Sequence, residues 1–358
     1  MATHLMLEQA MIDALEAQYK PDKAEAFKSR YFAAKTKLFT DILPWIRANE
    51  QYLSDHSERH IENVLDNIYK LICSDIEESI NRLKSNDFNQ SKVFTGTDLY
   101  FLCQVALFHD VGNFYGRNKH NQKISEVINK AFGDLFGGEN RRERKLIAEA
   151  GRVHTGKSMN GSDDSLMDLF NKSEHIQGDH IHFCSIASIV RFADELAEGP
   201  QRTSSFMQDE GMIPEENSIF HKYASCTHIK IDSPNQRISI SYEINFDVGE
   251  GTNTDEIERE IRLLLELIYS RINKLDQERK YYNYYNRLSK PIRETQVVFN
   301  FQKNDFDLSI KPDPLILNDL VVPGGRDQNI SFTDERQDLD ISHLVKSISD
   351  QIFQVGDE

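Results

Sequence analysis

The stretch LYFLCQVALFHDVGN, residues 99–113, decides how the chain is read. Up to Phe108 it is almost wholly apolar, the pattern of a helix buried all round, and then His109 and Asp110 stand side by side. A buried carboxylate without a partner costs several kcal/mol. The pair therefore either bonds the end of a core helix or holds a positive charge, and a metal ion is the obvious candidate.

Two further stretches repeat the oddity. In SDHSERHIENVLDNIYKLI, residues 54–72, Ser54 and Asp55 are candidate N-caps, and Ile61, Val64, Leu65, Ile68, Leu71 and Ile72 form an apolar stripe at helical spacing. His60 lies one turn before Val64 and His56 one turn earlier, so both imidazoles project from the edge of the core. In HFCSIASIVRFADELAEGPQR, residues 182–202, Asp194 sits within the inward stripe of Ile186, Ile189, Val190, Ala193 and Ala197. An ordinary reading pairs Asp194 with Arg191 or Arg202, and takes either histidine as a hydrogen-bonded core residue. Taken together, His60, His109, Asp110 and Asp194 are two imidazoles and two carboxylates at inward positions on three helices. That donor set suits Mn²⁺, Fe²⁺, Ni²⁺, Zn²⁺ or Mg²⁺, and helical bundles build metal sites from facing helices in this way.

The rest of the chain supplies the setting. Its 358 residues allow one large domain or two modest ones. The four cysteines form no CxxC pair and read as core thiols in a reducing cytosol. No apolar run is long enough to span a bilayer and the N-terminus does not read as a signal peptide, so a cytoplasmic protein without membrane contact is expected. The net charge is −16, from 42 basic and 58 acidic residues, which disfavours a nucleic-acid polymer as partner.

Helices are expected at 6–19, 24–40, 57–84, 98–110, 120–136, 141–153, 164–171 and 181–198. The composition then changes: THIKIDSPNQRISISYEINFDV, residues 227–248, alternates on both sides of DSPNQ and reads as a β-hairpin. A long helix follows at about 255–286. The expected fold is mainly α: N-terminal helices (1–50), a metal-binding helical domain (51–210), an α+β appendage (211–300), and a loosely attached tail with a short helix (301–358).

The ordered set H…HD…D resembles the HD superfamily of metal-dependent phosphohydrolases over roughly residues 50–205. HIENV matches the opening HxxxV through His60 and Val64, and LFHDVGN matches the doublet. RFADELAEGPQR is similar to the last motif through Asp194 and Arg202, while His120 and Ser125 resemble a segment that often follows the doublet. The hairpin and long helix are similar to those trailing some bacterial HD proteins. The GYP signature of cyclic-di-GMP phosphodiesterases is absent.

This resemblance implies a helical fold, a mononuclear or binuclear centre and hydrolysis of a phosphate ester or anhydride. His60, His109, Asp110 and Asp194 are then the metal ligands. Binuclear members add histidines between the doublet and the last Asp; His154 is the first choice here, with His180 and His182 behind it. A mononuclear site is favoured, because no adjacent HH pair occurs. A bound cation acidifies water for attack on phosphorus, with Asp110 at the centre and His120 or His56 as proton donor. Arg117, Lys119 and Arg202 are candidates for the substrate phosphates. The expected substrate is small and phosphorylated, a nucleotide above all, and the expected cofactor a divalent metal, manganese among the choices. A homo-oligomer is compatible with the sequence. The rival readings are a non-catalytic HD-fold sensor or partner-binding module, and an HD-type nuclease or cyclic-nucleotide phosphodiesterase.

Overall fold

The computed structural model describes residues 4–49, 57–85, 93–204, 206–207, 210–249, 251–318 and 336–353. The chain forms two compact units, Met1–Ala197 with Gln277–Pro291, and Glu198–Asp276 with Ile292–Glu358. The expected division at 50 does not appear as a separate body: the N-terminal helices fall within the first unit. The mainly α fold with an α+β part is as expected from the patterning.

The first unit runs α1 (Met6–Gln18), α2 (Pro21–Lys37), α3 (Leu43–Asn49), α4 (Glu58–Ser85), α5 (Gly96–Phe108), α6 (His120–Ala131) and α7 (Arg141–Arg152), then the hairpin β1 (Glu174–Ile176) and β2 (Asp179–Ile181), then α8 (Phe183–Glu195). Every residue of α5 is buried, as its apolar circumference requires. A capping box starts it: Thr95 Oγ1 accepts from the Asp98 backbone N–H, and Asp98 accepts from the Thr95 N–H, both at 3.0 Å. Gly96 lets α1 cross closely, since a Cβ there would lie 2.9 Å from Ala14 O and Leu15 Cα.

Two expected helices are corrected. Residues 164–171 hold only a single 3₁₀ turn, Ser165–Asp168. The helix expected from 181 starts at Phe183, because Gln177 (φ 50°) and Gly178 (φ 89°) make a two-residue turn that folds 174–181 into a hairpin.

In the second unit α9 (Glu215–Cys226) precedes β3 (Thr227–Asp232) and β4 (Arg237–Phe246), which pair antiparallel as the alternation implies. The long helix α10 (Thr254–Tyr285) follows, its residues from Gln277 on belonging to the first unit. It returns the chain as β5 (Glu294–Lys303), parallel to β4 from Arg237↔Glu294 to Phe246↔Lys303. Parallel strands need such a crossover. The short strands β6 (Phe306–Asp307) and β7 (Leu315–Asn318) both pair with β5. β4 buries Ile238, Ile240, Tyr242, Ile244 and Phe246, and β5 buries Thr295, Val297, Phe299 and Phe301, the period-2 face of a half-covered sheet. The closing helix α11 (Ile341–Phe353) buries Leu344, Val345, Ile348 and Ile352. Just before it, Leu339 O accepts a bond from Tyr269 Oη at 2.6 Å. The described part of the expected tail is docked rather than loose. Among the described residues no helix is long and apolar enough to cross a membrane.

Candidate metal centre

Three helix termini of the first unit bring the expected ligands together. His60 lies in the first turn of α4, whose start is fixed by Ser57: its Oγ accepts from Arg59 N at 3.2 Å and its carbonyl from His60 N at 3.1 Å. His109 directly follows α5, and Asp110 precedes the 3₁₀ turn Val111–Tyr115. Asp194 is the penultimate residue of α8. His60 Nε2 is 3.2 Å from Asp194 Oδ1 and 3.6 Å from Asp110 Oδ2. His109 Nε2 is 3.5 Å from Asp194 Oδ1 and 3.6 Å from Asp110 Oδ2. Each of the four residues offers one donor atom within 4.8 Å of the others.

A second group shares one member with the first. Asp110, His120 and His154 likewise place a donor atom each within 4.8 Å of one another. Asp110 Oδ1, the oxygen not used above, is 3.2 Å from His120 Nε2 and 3.3 Å from His154 Nε2. Asp110 thus turns one carboxylate oxygen towards each group. The sequence favoured one ion, with His120 or His56 as proton donor; either group of residues could hold a metal ion, and His120 belongs to the second.

The imidazoles are aimed by their own backbones. The Nδ1 atoms of His109, His120 and His154 lie 2.8, 3.1 and 2.6 Å from the carbonyls of Ala106, Arg117 and Gly151, each three residues back. A carbonyl only accepts, so each Nδ1 carries a proton and each Nε2 is turned inwards. This is how metal-binding histidines are oriented. His120 Nε2 and His154 Nε2 face each other at 3.1 Å, and two opposed lone pairs call for a cation between them or a proton on one. His109 Nε2 is fully buried with no hydrogen-bond partner, which in a folded core demands an explanation. A cation provides it, and the donor set fits one.

The charge balance agrees. Burial alone pushes His109 down, but the Asp110 and Asp194 carboxylates override it and raise the imidazole from 6.5 to about 9. Burial likewise opposes ionisation of Asp110 and Asp194, yet the neighbouring histidines, His109 first, hold both well below the usual carboxylate range. Without a cation His109 carries the positive charge that these two carboxylates attract, and a bound metal ion would take the place of its Nε2 proton.

Small residues make this convergence sterically possible. A Cβ on Gly112 would lie 1.9 Å from His120 O, so only glycine lets the turn after the doublet meet the start of α6. A Cβ on Gly151 would touch Ile124 Cδ1 at 3.2 Å and His109 Cα at 3.5 Å, which is how closely α7 approaches. Asn121 Nδ2 donates to Arg152 O at 3.0 Å and Thr155 O at 3.1 Å, tying down the turn that carries His154.

Of the two arginines expected beside Asp194, Arg191 is engaged elsewhere. Arg191 makes a bidentate pair with Glu278 at 2.5 and 2.6 Å, and its Nη1 donates to Ser165 Oγ at 2.7 Å and Val153 O at 3.3 Å. Nothing local in the sequence marks that clamp on the residue before His154. Arg202 lies in the second unit, 3.4 Å from Glu198. Arg117 and Lys119 are exposed on the loop that enters α6. His180 and His182 belong to the hairpin region, where His182 Nδ1 donates to Asp98 Oδ2 at 3.0 Å, and join neither group. His56, with the candidate caps Ser54 and Asp55, lies outside the described residues.

A protein-family model, HD-CE, matches residues 50–274. That span holds every member of both groups. No curated protein and no solved structure matches the chain.

Proposed function

The chain belongs to the HD-CE family, and on that premise we propose that it is a metal-dependent phosphohydrolase acting on a small phosphorylated substrate, a nucleotide before any other. The observation that carries this reading is the double role of Asp110, whose two oxygens serve two histidine groups. A carboxylate between two cations is a recurrent arrangement for displacement at phosphorus.

In this proposal His60, His109, Asp110 and Asp194 hold one divalent cation, and Asp110, His120 and His154 hold a second. Cations so placed supply an acidified water and neutralise charge on the phosphoryl oxygens. The chain's own part is positioning. His109, His120 and His154 keep a proton on Nδ1, and Asp110 fixes the spacing of the two groups. Arg117 and Lys119 are assigned to the substrate phosphates, since the Arg117 carbonyl accepts from His120 and so anchors their loop to the centre. Arg202 is left out of the assignment, because Glu198 engages its guanidinium. The acidic surface, net −16, repels a long polyanion, whereas a confined positive site recognises one or a few phosphates at short range.

The test is hydrolysis by the metal-loaded protein of a nucleotide panel and of long DNA and RNA strands across a salt series. Metal-dependent turnover of nucleotides is expected. Cleavage of long strands alone, falling steeply with salt, would replace the substrate class. Metal retained without any turnover would favour the sensor reading.

A further inference from the structure

His154 stands two residues past the end of α7, so its place depends on what grips the turn there. The carbonyls on either side of it are held by side chains. Asn121 Nδ2 donates to Arg152 O and Thr155 O. Val153 O accepts from Ser165 Oγ at 2.8 Å and from Arg191 Nη1 at 3.3 Å.

A guanidinium only donates, so in the 2.7 Å contact between Arg191 Nη1 and Ser165 Oγ the hydroxyl accepts. Its own proton is thereby directed at Val153 O. Arg191 grips the turn twice, once directly and once through Ser165. The bidentate pair with Glu278 fixes the plane of the guanidinium. Arg191 is 6% exposed and Ser165 fully buried, so bulk water does not compete for these bonds. Arg191 also lies one turn before Asp194 on α8. One helix therefore gives a ligand to the first group and a grip on a ligand of the second.

We propose that Arg191 is a positioning residue for the second cation, setting His154 through Val153 O and Ser165 and leaving the first cation to Asp194. This role rests on the two-cation reading of the centre and adds to it the group that tunes one position without the other. Outer partners of metal ligands are commonly worth about 10–100-fold in metal affinity.

The experiment is a Mn²⁺ titration of the full chain, with free Mn²⁺ read by electron paramagnetic resonance and thermal unfolding followed on the same samples. The unaltered protein is expected to bind two equivalents. Arg191→Met/Glu278→Leu leaves no member of the pair stranded, so it should unfold near the unaltered midpoint. It should nevertheless bind the second equivalent at least tenfold more weakly, and the first with unchanged affinity. Ser165→Ala, which alters no charge, should weaken the second equivalent alone and by a smaller factor, since Arg191 still reaches Val153 O. Unchanged affinity for both equivalents in the two variants would overturn the role, as would equal weakening of both. A single equivalent in the unaltered protein would refute the two-cation reading, and the role of Arg191 with it.

Discussion

On the proposed reading both cation positions depend on Asp110, and its neighbours depend on it unequally. Asp110→Ala is expected to remove all metal from the centre, while His154→Ala removes only the second ion and leaves His60, His109 and Asp194 with theirs. Elemental analysis of the two variants, alongside circular dichroism, checks this; equal metal content in both would contradict it. Arg191 acts at one remove. Its pair with Glu278 is buried, with side chains 6% and 9% exposed, so Arg191→Met strands a carboxylate and should cost about 3–5 kcal/mol. Arg191→Met/Glu278→Leu should recover most of that loss in thermal unfolding. His60, His109 and Asp110 stood out in the sequence because they sit at the ends of apolar helical stripes, and Asp194 because it sits within one. The Arg191–Glu278 pair spans 87 positions, and no local pattern selects one glutamate over another at that distance.

At the scale of elements, the centre exists because helix ends meet. α5 delivers its C-terminal doublet, the turn at Gly112 brings α6 back, and α7 ends at the turn bearing His154. Gly112→Ala places a methyl where His120 O stands. Overpacking of this kind costs about 1–3 kcal/mol or more, and the displaced α6 should take His120 out of the second group. The expected result is a lowered unfolding midpoint with the second ion lost and the first retained. Retention of both ions at unchanged stability would show that the close approach does not matter. The buried helices and the β3–β4 hairpin were legible from periodicity and turn residues. The parallel pairing of β4 with β5 was not, since no local signal tells a strand which neighbour it will meet after a 32-residue helix. The β1–β2 hairpin was missed because three-residue strands hold too little alternation to register.

For the whole molecule, all four cysteines are free thiols. Burial raises Cys103 well above its usual range and lifts Cys184 and Cys226 to about 12, so these three stay protonated at pH 8 and react slowly, since the thiolate is the nucleophile. Cys73 is only half-buried, near the middle of α4. A thiol-exchange reagent at pH 8 should label Cys73 first in the native protein, the equally half-buried Cys184 more slowly, and the buried Cys103 and Cys226 only on denaturation. Fast labelling of Cys103 would contradict the packing of α5.

The central claim is that six residues from separate parts of the chain form one centre bridged by Asp110. Anomalous diffraction from crystals loaded with Mn²⁺ tests it most directly. The account predicts two peaks about 3.5–4 Å apart, one among His60, His109 and Asp194, the other between His120 and His154, with Asp110 between them. A single peak, or peaks beyond ligand distance of Asp110, would contradict it.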